Sequence, residues 1–250
     1  MLQFPTVGFR CGEKDVSYLL LDRFRALFEG VRYRHRDSSL GDSVAVYLPE
    51  DLYGLGRSPK LAGRIEAGDR VINVRNTLRG ISARRGDGTF GELVPRTQPL
   101  AVPGFAVRRG QIATVEIGTE VKVLAKAMIK QIDRVISDLT KQVSHFRTAG
   151  GNPISVGIVG INYADRCTSY EGDRAWPTDG RIHKHPIQEA HEAERRLQAR
   201  ARPAFDEFIV LRFVARNEEP YLFEWLNEEQ TSLDYGASLT RILRRYEDRF

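Results

Sequence analysis

The residues best suited to chemistry lie on one face of a predicted strand, Ala113–Leu124. Successive side chains of a strand point to opposite faces, and one face of this segment is wholly β-branched, as a buried core favours. The other face carries Glu116, Glu120 and Lys122. Asp87 lies upstream between two glycines, a pattern that favours a turn, and it adds a third carboxylate near the same strand.

Carboxylates beside a lysine suit the metal-assisted cleavage of a phosphodiester bond. Carboxylate oxygens hold Mg²⁺, a hard ion that prefers oxygen ligands and usually keeps several waters, and Mn²⁺ takes similar sites. The ion polarises the phosphate and lowers the pKa of a bound water. An adjacent ammonium orients that water and stabilises the developing charge. An acid followed by a Glu-x-Lys pair therefore predicts Mg²⁺ or Mn²⁺ as the cofactor.

The stretch that runs from Asp87 through Glu120-Val121-Lys122 to Gln131 resembles the PD-(D/E)XK nuclease superfamily, which includes restriction endonucleases and repair and phage-defence nucleases. The resemblance covers residues 15–215. It implies a restriction-endonuclease-like α/β fold, in which helices flank a central mixed sheet, and a nuclease that acts on nucleic acid, with DNA favoured.

The resemblance also implies a role for each matched residue. Asp87 and Glu120 are the metal-binding acids, with Glu116 as a further ligand, and Lys122 is the catalytic lysine that positions the attacking water. Gln131 corresponds to the glutamine that some branches carry on the helix after the Glu-x-Lys strand. Double-strand cleavage commonly needs two active sites, so a homodimer is also implied.

The match to the superfamily is incomplete at three places. Gly86, and not a proline, precedes Asp87, and Glu92 on the following strand is an alternative first acid. Glu116 is an alternative or an addition to the acid of the Glu-x-Lys pair. Branches that carry the glutamine have an aromatic residue four positions later, where this chain has Val135.

Two other classes of protein are compatible with the same residues. A non-catalytic nucleic-acid-binding or sensing domain would keep the fold and bind without turnover. A protein-interaction module would carry the Glu-x-Lys pair by chance, as solvated neighbours on an exposed strand face. Binding of nucleic acid separates the last class from the other two, and metal-dependent cleavage separates the nuclease from both.

The periodicity of the sequence predicts the elements that must position these residues. Asp51–Arg64 is expected to be irregular or a short helical turn, and the last helix would carry a strongly basic final turn. The order of the predicted helices and strands indicates one α/β domain over residues 1–250, with its core in 15–215 and a hairpin and helix in 221–250. The predicted elements are helix Asp15–Gly30, strands Val71–Arg84, Thr89–Pro95 and Ala113–Leu124, helix Ala125–Phe146, strand Ile154–Ile161, helix Pro186–Ala201, strands Phe205–Ala215 and Tyr221–Trp225, and helix Ser232–Phe250.

The composition is that of a globular protein with a mild preference for polyanionic partners. The formal net charge is +5 and the charged fraction is 28%. Cys11 and Cys167 show no spacing that would hold a metal or indicate a disulfide framework. No window has the length of a membrane span or the pattern of a signal peptide, so we expect a cytoplasmic protein that does not enter membranes.

Three further signals are weaker. Lys126, Lys130 and Arg134 recur every four residues and would form either a phosphate-binding stripe or an ordinary solvated helix face. The long loop Asn162–Lys184 carries Tyr170, Arg174 and Trp176, which would either contact nucleic acid or belong to an ordered surface loop. Nothing near His183, His185 and His191 completes a zinc pattern.

Overall fold

The computed structural model describes residues 17–34, 39–73, 87–126, 128–148, 151–171, 174–179 and 186–250. Its helices are α1 (Leu19–Arg25), α2 (Ser39–Ala45), α3 (Leu48–Gly54), α4 (Pro59–Glu66), α5 (Met128–Thr148), α6 (Pro186–Arg200) and α7 (Glu228–Arg249). Its strands are β1 (Arg70–Asn73), β2 (Gly88–Leu93), β3 (Arg109–Gly110), β4 (Ile112–Leu124), β5 (Ile154–Asn162), β6 (Cys167–Glu171), β7 (Arg174–Thr178), β8 (Glu207–Val214) and β9 (Glu224–Trp225). Within the described residues, no helix is long and apolar enough to cross a membrane.

A seven-stranded mixed sheet, in the order β3-β1-β2-β4-β5-β8-β9, lies at the centre of the fold. β4 is antiparallel to β2 and parallel to β5, which in turn is parallel to β8. All nine residues of β5 are buried, as the short, almost wholly apolar sequence of this strand predicts for a position inside a covered parallel sheet. The predicted α/β class, with a mixed sheet flanked by helices, is confirmed.

The sheet separates two apolar cores. On one face, α1 to α4 and α7 pack against alternate residues of the central strands, such as Val121 and Ile158. On the other face, α5 and α6 cover the intervening residues, such as Val159 and Ile161. The apolar stripe of α5 faces this second core because its residues recur every three or four positions. Each face of β4 therefore meets a different set of helices.

Residues 51–64, predicted to be irregular or a short helical turn, lie mostly in two helices, α3 and α4, with a connection at residues 55–58. The start of α4 has an ordinary capping signal: the Ser58 hydroxyl accepts a hydrogen bond from the Leu61 N–H at 3.0 Å, and Pro59 follows at the first helical position. α1 ends at Arg25, before the predicted stop at Gly30. Of the predicted strand 71–84, residues 74–84 lie outside the described part of the chain.

The C-terminal elements belong to the main core. β9 pairs antiparallel with β8, which confirms the predicted hairpin. α7 begins four residues earlier than predicted, at Glu228, and Asn227 caps it by accepting a hydrogen bond from the Gln230 N–H at 2.9 Å. Tyr235 and Tyr246 of α7 are fully buried in the same core as α1 and α3. α7 therefore packs in this core although it lies beyond residues 15–215.

Candidate active site where β2, β4 and α2 meet

β4 carries Glu120 and Lys122 on its α5 face. The register between β2 and β4 shifts near Glu116, so that this residue has no partner across the pair. Beyond the shift, a Cβ atom on Gly118 would lie 2.6 Å from the ring of Phe146 in α5, which shows that this face of the strand packs directly on the helix. Glu120, two residues further on the same face, is only 6% exposed.

Asp87 lies directly before β2, where antiparallel pairing brings it to the side of Glu120. Gly88 is opposite Thr119, so the residue before Gly88 reaches the next positions of β4. The Val121 N–H donates a hydrogen bond to Asp87 Oδ2 at 2.8 Å. Asp87 thus stands at a strand start, and not only in a turn as its flanking glycines suggested. The structure brings Asp87, Glu120 and Lys122 together.

A third acid, Asp42 of α2, joins this pair and was not predicted. α2 approaches so closely that a Cβ atom on Gly41 would lie 2.7 Å from Asp87 Oδ2 and 3.1 Å from the Val121 carbonyl oxygen. Asp42 makes a side-chain hydrogen bond with Asp87, and its charge helps to raise the Asp87 pKa. In the sequence, the feature that could have pointed to Asp42 is its position after Gly41 and shortly before the apolar run Val44–Leu48.

Burial and mutual repulsion raise the pKa values of Asp87 and Glu120. Burial, followed by the charge of Asp87, raises the pKa of Glu120 to about 7, although Lys122 opposes the shift. Burial also raises the pKa of Asp87, against the lowering effects of Lys122 and the Val121 N–H. Burial works against the charge of Lys122, but Glu120 and Asp87 outweigh it and hold the lysine pKa above its usual value. The cluster therefore favours an additional positive charge.

The donor atoms of the cluster suit a hard divalent cation. Asp42, Asp87 and Glu120 contribute only carboxylate oxygens, which is the chemistry that Mg²⁺ prefers. Within the described residues, no group of three or more His, Cys, Asp or Glu side chains is already spaced to hold a metal ion. Instead, Lys122 Nζ donates a hydrogen bond to Glu120 Oε1 in a direct ion pair. A cation bound by Glu120 would therefore compete with the lysine for this carboxylate.

Glu116 belongs to a different part of the molecule, which corrects its predicted role as a metal ligand. Tyr246 Oη donates to Glu116 Oε2 at 2.5 Å, and Arg70 Nε donates to Oε1 at 2.6 Å. Arg64 Nη1 lies 3.6 Å from the same oxygen. The register shift removes Glu116 from the simple alternation that would have placed it beside Glu120.

Glu92 lies too far along β2 to replace Asp87. It is opposite Thr114 and Arg70 in the sheet, and Thr114 Oγ1 lies 3.4 Å from its carboxylate. Five residues of strand separate it from Asp87, which corresponds to roughly 17 Å. The geometry therefore selects Asp87 as the first acid of the cluster.

The two glutamines of α5 differ in exposure. Gln131, which the resemblance singles out, is exposed, whereas Gln142 is buried. Gln142 lies one helical turn from Asp138, whose charge acts on Lys122, and one turn from Phe146, whose ring lies against β4. The role of Gln131 stays a prediction.

The basic residues proposed to bind nucleic acid do not form one stripe. Lys126 precedes α5, so it is not part of the helix face. Lys130 is exposed on α5, and Arg134 is exposed with its Nε 3.7 Å from Asp138 Oδ2. Arg174 lies apart from these residues on β7, where it is exposed. Their common role in binding stays a prediction.

The structure describes one of the three histidines that were weighed as zinc ligands. His183 and His185 lie outside the described residues. The ring of His191 packs edge-on against the ring of Tyr163, with 5.1 Å between centroids. His191 is therefore accounted for by packing.

No family model, curated protein or solved structure matches this chain. The cluster formed by Asp42, Asp87, Glu120 and Lys122 is therefore the feature of this chain from which a function can be inferred.

Proposed function

We propose that this protein is a metal-dependent nuclease with a restriction-endonuclease-like arrangement, which hydrolyses phosphodiester bonds in DNA. The observation that carries the proposal is the meeting of Asp87, at the start of β2, with Glu120 and Lys122 on β4. A half-buried acid directly before β2, and a buried acid and a lysine on the antiparallel strand β4, are the groups that this chemistry needs. The proposal includes a cytoplasmic location and a homodimer for double-strand cleavage.

The chain's own residues divide the work at the proposed site. Asp42, Asp87 and Glu120 would hold Mg²⁺ or Mn²⁺, which when bound would polarise the scissile phosphate and lower the pKa of a water. The Val121 N–H fixes the Asp87 carboxylate in position. Lys122, once parted from Glu120, would hold the attacking water and stabilise charge on the phosphate. The burial of Glu120 strengthens the interactions of its carboxylate by excluding solvent.

A non-catalytic nucleic-acid-binding domain is the second candidate. It is favoured by one observation, the direct ion pair between Lys122 and Glu120. In such a domain, the lysine would substitute permanently for a cation and the acids would serve only the fold. This candidate predicts nucleic-acid binding that chelator does not change, without turnover.

Cleavage assays with matched variants test the proposal. Supercoiled plasmid, linear duplex, single-stranded DNA and RNA would each be incubated with Mg²⁺, Mn²⁺ or EDTA. We expect metal-dependent cleavage that falls by about 100-fold or more in Lys122→Ala and Glu120→Ala, because each removes charge stabilisation from the reacting centre. Asp42→Asn should raise the Mg²⁺ concentration needed for half-maximal rate. Lys141→Ala, which alters an exposed lysine of α5, is the control.

The outcomes separate the candidates. Cleavage that persists in Lys122→Ala and Glu120→Ala would place the chemistry elsewhere and contradict the proposed site. Nucleic-acid binding without cleavage under any metal would support the binding domain. Circular dichroism of each variant distinguishes a lost activity from a lost fold.

A further inference from the structure

The β6–β7 ribbon is a two-stranded antiparallel unit outside the main sheet. Its inner strand, β6, is buried at Cys167, Thr168 and Ser169, whereas β7 is exposed from Arg174 to Pro177. Trp176 is 51% exposed and is the only aromatic residue among the large apolar side chains exposed in the described part of the chain. A half-exposed tryptophan on an outer strand offers a flat ring to a partner.

The strand register leaves one side of this ring open. Trp176 is directly opposite Ser169, so the two side chains share a face of the ribbon, and Ser169 is buried. The ring thus covers the ribbon on one side. Tyr170, on the other face, already has the guanidinium of Arg32 at 4.8 Å from its ring centroid. Within the described residues, no aromatic ring or guanidinium stacks on Trp176.

The ribbon begins near the carboxyl-terminal end of β4, the strand that carries Lys122. Asn162, the last residue of β5, donates through Nδ2 to the Ala125 carbonyl oxygen at 3.2 Å, just past the end of β4. The charge of Lys126 acts on the Cys167 thiol, where β6 begins. The ribbon therefore follows the end of the strand on which Lys122 lies.

We propose that the β6–β7 ribbon binds unpaired bases of the nucleic-acid strand whose phosphate enters the proposed nuclease site, with Trp176 as a stacking platform and Arg174 as a phosphate contact. This inference rests on the proposed function in taking nucleic acid as the partner. Bases inside a duplex present only their edges to the grooves, so a stacking platform selects unpaired bases. The exposed Arg174 and the net charge of +5 favour a polyanion over an acidic protein surface.

Tryptophan fluorescence tests the ribbon without any cleavage. The chain has two tryptophans, and Trp225→Phe leaves Trp176 as the only one while keeping a ring against Phe24, at a centroid distance of 5.5 Å in the wild type. In EDTA, we expect a single-stranded oligonucleotide of about 12 nucleotides to quench this fluorescence, because base stacking brings the ring into contact with a nucleobase. A blunt-ended duplex of two complementary strands and inorganic polyphosphate, at equal phosphate concentration, should leave it nearly unchanged.

Matched variants give a second measurement. Trp176→Ala should weaken binding of the single strand roughly tenfold, whereas Trp176→Phe, which keeps a ring, should retain most of the affinity. Leu100→Ala, which removes an equally exposed apolar side chain next to β3, is the control and should bind as the wild type does.

The results separate this inference from the proposed function. Equal quenching by polyphosphate and oligonucleotide, or unchanged affinity in Trp176→Ala, would overturn the ribbon's role even if metal-dependent cleavage is found. Quenching by the single strand alone would support the ribbon even if no metal produces cleavage, and would then favour the binding domain over the nuclease.

Discussion

At the scale of single residues, the ion pair of Lys122 with Glu120 decides how the cluster responds to protons and metal. The two residues lie two positions apart on β4, on the same face, and Asp87 adds a second acid beside them. Because Glu120 is buried and the other two groups are partly shielded from water, a change in the charge of one group alters the pKa values of the others. A divalent cation bound by the acids would therefore change the charge state of all three groups.

The raised pKa of Glu120 predicts that the metal-free chain loses stability as the pH rises. The carboxyl has its ordinary pKa of 4.5 when unfolded, whereas burial and the charge of Asp87 raise the pKa to about 7 in the fold. Between these pH values the folded chain binds more protons than the unfolded chain at this group. The raised pKa of Glu120 therefore contributes up to about 3 kcal/mol to the free energy of unfolding below pH 4.5. This contribution is lost as the pH rises through 7.

Glu120→Gln is the matched variant because it cannot ionise. Chemical denaturation in EDTA, from about pH 4.5 to about pH 8, should show the unfolding free energy of the wild type falling relative to that of the variant. Mg²⁺ competes with protons for the carboxylates, so it should raise the wild-type melting temperature more at the alkaline end. Parallel pH profiles for the two chains would contradict the shift.

Sequence reasoning at this scale succeeded where the strand is regular and failed where it is not. Counting alternate positions placed Glu120 and Lys122 together, as the structure has them. The same count failed for Glu116 because one register shift between paired strands breaks the period of two. Asp42 was missed since its proximity to Asp87 comes from the packing of α2, which no local pattern specifies.

At the scale of elements, Glu116 ties four of them together. Its carboxylate accepts from Tyr246 of α7 and Arg70 of β1, and Arg64 of α4 lies nearby, while Glu116 itself belongs to β4. This network lies only four residues before Glu120 on the same strand. It therefore holds the catalytic strand of the proposed site against the C-terminal helix.

Glu116→Gln should separate stability from metal chemistry. The neutral amide loses the ion pairs with Arg70 and Arg64, so we expect the free energy of unfolding to fall by about 1–3 kcal/mol. Mg²⁺ affinity, measured by the metal-induced rise in melting temperature, should stay within about twofold of wild type. A large loss of Mg²⁺ affinity in this variant, at intact fold, would return Glu116 to the metal site.

The elements that the sequence predicted share a strong local signal. The long amphipathic α5 and the apolar β5 are recognisable alone, because their periodicity reflects burial on a known face. α2 and α3 have seven residues each, too few for a periodic pattern to stand out, and depend on packing with the rest of the core. The β6–β7 ribbon was likewise hidden in a polar, mixed segment.

At the scale of the whole molecule, the net charge of +5 should make nucleic-acid binding sensitive to salt. Lys130 is exposed on α5, whereas the charge of Arg134 is offset by Asp138 at 3.7 Å. If the α5 face contacts phosphates, Lys130→Ala should reduce the slope of log affinity against log salt by about 1, and Arg134→Ala by less. Titrations with duplex DNA at several salt concentrations in EDTA measure both slopes. A wild-type slope in Lys130→Ala would remove this face from the binding surface.

The hydrogen bond between Asp51 and Tyr235 has a consequence for how the chain is made. The Tyr235 hydroxyl donates to Asp51 Oδ2 at 2.8 Å across 184 residues of sequence, and both side chains are buried. A ribosome that adds about 5–20 residues per second synthesises Tyr235 roughly 10–40 s after Asp51. During that interval the N-terminal helices lack the α7 side chains that complete their core. The nascent chain therefore exposes an unfinished apolar surface for many seconds, and its final closure follows the emergence of α7.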